Sequence, residues 1–222
     1  AVTEDNLAKA EAAAHDVVSV LPYRSRKVTL IQTDLPGLKT SISHKTTDVI
    51  RDRVESMGST LSDTHIVPHD IDAISNCLGQ ANYDGAELIL VVGASATVDR
   101  LDEIPVAIEQ AGGHIDHFGM PVDPGNLIVV AHMGDVPVLA LPGSARSPRP
   151  GGNDLILERI LADIAVSSTD IMGMGVGGLM KEIPSRPLPR TTAAPRRERG
   201  NQSAPRYAAV ILAGGQSRRM GD

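Results

Sequence analysis

Aromatic side chains are almost missing from this 222-residue chain: Tyr23, Tyr83, Tyr207 and Phe118 are all of them, and there is no tryptophan. Any core must therefore be built from Val, Ile, Leu, Ala and Met. The shortage also argues against a single-strand nucleic-acid binder, which would stack bases on aromatic platforms. Cysteine is scarcer still. Cys77 alone cannot close an internal disulfide, which points to a reducing compartment, and a cytoplasmic location is the expectation. No apolar run nears the roughly 20 residues of a membrane-spanning helix. Residues 1–15 lack the basic-then-apolar order of a secretion signal.

What is present fits one compact domain with an appendage. Charge is unevenly spread. Six arginines against one glutamate give residues 184–206 a charge of +5. With +1 from residues 207–222 and −6 for the whole chain, residues 1–183 carry −12. So acidic a body offers no surface for duplex nucleic acid, whose phosphates demand clustered Lys and Arg. If it binds a phosphorylated ligand, backbone N–H groups, helix N-termini or a bridging cation must do the work.

Along the chain, residues 3–20 read as an Ala-rich helix. Apolar, β-branched runs follow at 27–33, 87–92, 126–132 and 136–141, with helix-like segments near 44–57, 70–82, 100–111 and 153–165. Strands apolar on both faces, alternating with helices, predict a three-layer α/β fold: a mainly parallel sheet with helices on both faces. Gly, Pro and Asp cluster after three strands, at Asp34–Gly37, Gly93–Asp102 and Pro142–Gly152. Ligands of open α/β sheets bind at the carboxyl ends of strands, so these loops are expected to converge.

Residues 184–206, with five prolines and six arginines, read as a solvated linker. Residues 207–214 restart as a strand that enters a Gly-rich turn. The expected division is a lead-in over 1–26, a folded domain over 27–183, the linker over 184–206, and the start of a second domain over 207–222, where the chain looks cut.

Two stretches carry resemblances. Leu212-Ala-Gly-Gly-Gln-Ser-Arg-Arg-Met-Gly221 resembles the signature that opens the nucleotidyltransferases attaching GMP or CMP to molybdopterin. The likeness implies a nucleotide loop at Gly214, Gly215, Ser217 and Arg219. Within the body, four motifs stand in order: Gly93-Ala-Ser-Ala-Thr-Val-Asp-Arg-Leu-Asp102 with Glu103-Ile104-Pro105, Ala111-Gly-Gly113, Val122-Asp-Pro-Gly125 and Val138-Leu-Ala-Leu-Pro-Gly-Ser144. In this order and spacing they resemble the molybdopterin-binding domains of the MoeA and MogA families.

That second resemblance implies a molybdopterin ligand, held at Gly93, Ala94, Ser95 and Ala96 and at Pro142, Gly143 and Ser144. Asp102, the expected catalytic residue, and Asp70 would stand near the metal end. Magnesium and ATP would accompany any insertion step, and the metal ligands stay unassigned. It also implies a homo-oligomer, and the first resemblance implies a fused or partner nucleotidyltransferase. Asp102 reads equally as a first-turn residue favoured by the helix dipole, and Asp70 as a helix N-cap.

The sequence departs from the family pattern. The double glycine is broken at Gly93-Ala94-Ser95, Ser144 stands for an asparagine, Ala145 for a proline, and His69 for one of two adjacent carboxylates. The acidic residue at the start of the first long helix is His44 or Lys45. The resemblance implies that the broken glycine pair, His69, and His44 or Lys45 fall at positions that serve metal handling or adenylyl chemistry. Two functions therefore stand beside each other: metal insertion, and non-catalytic binding with hand-over. A regulatory nucleotide-binding domain is a third. The GxGxxG match at Gly173–Gly178 lacks a preceding strand and is set aside, and the seven scattered histidines form no zinc pattern.

Overall fold

The computed structural model of the chain describes residues 3–13, 18–180 and 207–211. In order the elements are α1 (Glu4–Ala13), β1 (Val18–Pro22), β2 (Lys27–Asp34), α2 (Thr40–Ser56), β3 (Thr60–Pro68), α3 (Ile71–Tyr83), β4 (Leu88–Val92), α4 (Glu103–Gln110), β5 (His114–Phe118), β6 (Val129–Met133) and β7 (Val136–Leu141). A 3-10 turn over Gly143–Arg146, α5 (Gly152–Leu161), α6 (Ser168–Gly173) and β8 (Tyr207–Ile211) complete them.

Six strands form one sheet in the order β3-β2-β4-β7-β6-β5. β3, β2, β4 and β7 run parallel to one another, while β6 is antiparallel to both β7 and β5. β4 explains the layering. All five of its residues are buried, and successive side chains of a strand point to opposite faces. Leu88, Leu90 and Val92 join Ile50 and Val54 of α2 and Ile156 and Leu157 of α5 in one core. Ile89 and Val91 join Ile74 and Leu78 of α3 and Ile104 and Ile108 of α4 in the other. Each such side chain, fully buried, stabilises the fold by about 1.5–3 kcal/mol. The expected three-layer α/β sandwich is therefore the observed one.

Several boundaries differ from expectation. The helix predicted over 3–20 ends at Ala13, and a strand forms at Val18–Pro22, where β-branched valines prefer extended backbone to continued helix. That strand pairs antiparallel with β8, Val18 opposite Ile211 and Pro22 opposite Tyr207, as a separate two-stranded sheet. The strand expected from residue 126 starts at Val129, because Asn126 and Ile128 instead turn their carbonyls to the amides of Met120 and Gly119. The helix expected from residue 100 starts at Glu103. β5 has no counterpart among the expected strands. The linker 184–206 and the nucleotide-loop residues Gly214, Gly215, Ser217 and Arg219 lie outside the described residues. Among the described residues, no helix is long and apolar enough to cross a membrane.

Candidate functional site

The strand registers set the rim of the sheet. Gln32 of β2 lies beside Val92 of β4, and Val92 beside Leu141 of β7. The next residues, Thr33, Gly93 and Pro142, therefore stand side by side where the parallel strands end. On the outer flank Asp34 pairs with Pro68, so β3 hands His69 to the same rim.

The loop after β4 folds tightly. A Cβ on Gly93 would lie 2.7 Å from the Ser95 carbonyl oxygen and 2.8 Å from Ile104 Cδ1, so only glycine fits. The Ala94 amide donates to Thr33 Oγ1 at 2.7 Å. Thr33 Oγ1 also lies 2.8 Å from His69 Nδ1, and His69 Nε2 lies 2.8 Å from Ser95 Oγ. Glu103 Oε2 stands 3.5 Å from that Nε2, and the imidazole is only 6% exposed. Further along, the amides of Val98 and Asp99 donate to Asp102 Oδ2 at 2.7 and 3.0 Å. Between these two tethered ends, the amides of Ser95, Ala96 and Thr97 have no hydrogen-bond partner among the described residues.

Arg146, from the turn after β7, reaches the back of the loop. Its guanidinium donates to the Gly93 carbonyl at 2.6 Å and to Thr46 Oγ1 at 3.2 Å. Burial pulls its pKa below the usual arginine value, yet a guanidinium still carries its charge at neutral pH. One positive charge thus stands behind a loop that presents unpaired N–H donors. Such a pairing is suited to an anion.

The predicted residues fall into two groups. Gly93, Ala94, Ser95 and Ala96 form the loop, and Pro142, Gly143 and Ser144 follow the neighbouring strand. Ser144 Oγ is buried without a partner, and Gly143 has open space where a side chain would stand. The two aspartates do structural work. Asp102 precedes α4 and closes the loop through Oδ2, while Asp70 caps α3 by accepting from the Ala73 amide at 2.9 Å. Thr33 and Arg146 are site residues that the sequence reading missed. Their type carries no signal, and only the register brings them to the loop. Among the described residues, no group of three His, Cys, Asp or Glu side chains could hold a metal ion.

No family model matches the chain, and no curated protein matches it. Solved structures resemble it. The molybdopterin biosynthesis MoeA protein of Pyrococcus horikosii is 16% identical over 64% of this chain and 34% of its own, with a TM-score of 0.41. The molybdopterin biosynthesis enzyme MoaB of Thermus thermophilus is 19% identical over 61% of this chain and 92% of its own, with a TM-score of 0.45. CinA of Thermoplasma acidophilum, described as of unknown function, is 12% identical over 64% of this chain and 99% of its own, with a TM-score of 0.44. The chain thus spans about a third of the length of the first of these, 34%.

Proposed function

We propose that residues 27–183 form a molybdopterin-binding domain acting in molybdenum cofactor biosynthesis, and that its task is to bind the pterin and hand it on. The observation that carries this reading is the run of unpaired amides at Ser95, Ala96 and Thr97, backed by Arg146. For a body with a charge of −12 over residues 1–183, backbone N–H groups are one means of taking a phosphate, and this loop offers three. The ligand's phosphate would accept from the three amides and the Ser95 hydroxyl. Gly93 lets the loop close, and Pro142–Ser144 would flank the ligand from the next strand.

Binding without insertion is favoured by what the carboxylates do. Asp70 and Asp102 each hold backbone amides, and His69 occupies the place of a further acid. The resemblance of residues 212–221 to the opening of a cofactor nucleotidyltransferase supplies a recipient. A tethered neighbour raises the effective concentration of a scarce intermediate at the next site.

Anaerobic fluorescence titration of the whole chain with molybdopterin tests this reading. Micromolar or tighter binding is expected, lost in Ser95→Arg and weakened in Asp102→Ala, whose loop comes untied. Affinity unchanged in both variants would remove the site, and no binding at all would remove the function. Turnover with molybdate, magnesium and ATP would replace hand-over by insertion. Nucleotide binding without pterin binding would replace both by a regulatory role.

A further inference from the structure

Thr33 is 1% exposed, and its hydroxyl meets two groups. One, the Ala94 amide, is a donor, so it occupies a lone pair of Oγ1. The other is His69 Nδ1 at 2.8 Å. A buried hydroxyl left without an acceptor is costly, and Nδ1 is the acceptor within reach among the described residues. Thr33 therefore donates to Nδ1, and the imidazole proton sits on Nε2. From there it donates to Ser95 Oγ at 2.8 Å, with the Glu103 carboxylate 3.5 Å away.

The consequence falls on Ser95. An imidazole fixed in this tautomer cannot take the serine's proton, so the pair is no nucleophile and base. Ser95 Oγ spends a lone pair on His69, and its own O–H is left to point away from the ring. We infer that His69 is a buried positioning residue which, fixed by Thr33, turns the Ser95 hydroxyl into an outward donor for the same oxyanion that the Ser95–Thr97 amides receive. The relay Thr33–His69–Ser95 adds one outward hydroxyl donor to the three amides, with the Glu103 carboxylate 3.5 Å from His69 Nε2 as the acceptor at its side. This assignment rests on the phosphate reading proposed above.

The test has two independent readouts on the whole chain. Nitrogen-15 NMR of the imidazole at about pH 8, above the ordinary histidine range, should show His69 protonated on Nε2 and bare on Nδ1. Thr33→Val should erase that preference and weaken molybdopterin binding by about three- to tenfold, the worth of one hydrogen bond. Thr33→Ser should restore both. His69 protonated on Nδ1 in the unaltered chain, with molybdopterin bound normally, would overturn the relay and leave the phosphate reading standing. The expected tautomer with no molybdopterin binding would overturn the phosphate reading and the relay's purpose with it. Should Thr33→Val fail to fold, the tautomer in the unaltered chain still decides.

Discussion

At the amino end of β7, a groove of about 410 Å3 runs between Arg26, Asp116, His132, Asp135 and Asp163. Most of its charges answer one another. Asp163 holds both Arg24 and Arg26, and His132 Nδ1 lies 2.9 Å from Asp116 Oδ2. At the carboxyl end, the rim around Gly93 offers three unpaired amides with a guanidinium behind them. Space marks the first region, and unanswered donors mark the second. Ser95 and Ala96 are exposed, so their amides are free to exchange water for an anion, whereas most of the groove's charges are already spent on one another.

Breaking the rim should cost most. Arg53 of α2 donates to Asp154 Oδ1 at 2.6 Å and to the carbonyls of Ala145 and Ser147 at 2.8 and 2.9 Å. It is 7% exposed and its partner 13%. It is the rivet that holds the segment after β7 against the helix layer. Arg53→Leu leaves Asp154 buried without its counter-charge, and urea unfolding should show a loss of about 3–5 kcal/mol. A loss under about 1 kcal/mol would mean that the pair behaves as a surface contact.

Next in size is Gly93→Val. The added atoms must displace the Ser95 carbonyl and Ile104, so a loss of about 1–3 kcal/mol is expected, with molybdopterin affinity down more than about tenfold. Gly143→Ala is the control. Nothing lies within 4 Å of its Cβ position, and stability should stay within about 0.5 kcal/mol. Equal effects at the two glycines would undo the claim that the loop after β4, and not glycine content, shapes the rim.

These two loops were legible in the sequence because Gly and Pro directly follow fully apolar strands. β4 and β7 were legible for the same reason, as continuous buried runs. β3 and β5 were harder. The nine residues Thr60–Pro68 lie at a sheet edge and are mostly exposed, so polar residues interrupt any apolar signal. The strand at Val18–Pro22 follows an Ala-rich stretch with no breaker between, and the helical pattern reads through it. Thr33, His69 and Arg146 show the limit most clearly. Each becomes part of the site through neighbours 26 to 61 residues away, and local pattern holds no trace of such partners. The resemblance in sequence pointed to Asp70 and Asp102, and the geometry gives both a backbone to hold.

The amino-end groove should behave oppositely to the rim. Asp163→Asn keeps a side chain that tolerates its left-handed backbone, φ 55°, and removes the charge shared by Arg24 and Arg26. With 30% of its side chain exposed, the loss should be about 1 kcal/mol and should shrink with salt. Molybdopterin affinity should not change. A fall in affinity would show that the groove, not the rim, is where the ligand binds.

Glu158 of α5 sharpens the comparison with the smallest effect, because its charge has no hydrogen bond or ion pair among the described residues and is only partly offset. Arg53 is committed to Asp154. Burial pushes the Glu158 carboxyl up from its ordinary value, the neighbouring Asp154 charge adds to the rise, and Arg159 offsets only part of it. The folded chain therefore holds this proton more tightly than the unfolded one. By linkage, stability falls as pH rises from the ordinary carboxylate range through the raised folded value, and the deficit persists at neutral pH. Glu158→Gln removes the charge. The variant should be more stable at about pH 7 by a fraction of a kcal/mol once solvent screening is counted. That advantage should vanish near pH 3.5, roughly where the Glu158 carboxyl is protonated in the folded and the unfolded chain alike. Urea midpoints at the two pH values decide it. A glutamine variant that is weaker at neutral pH would mean that Glu158 is paired after all.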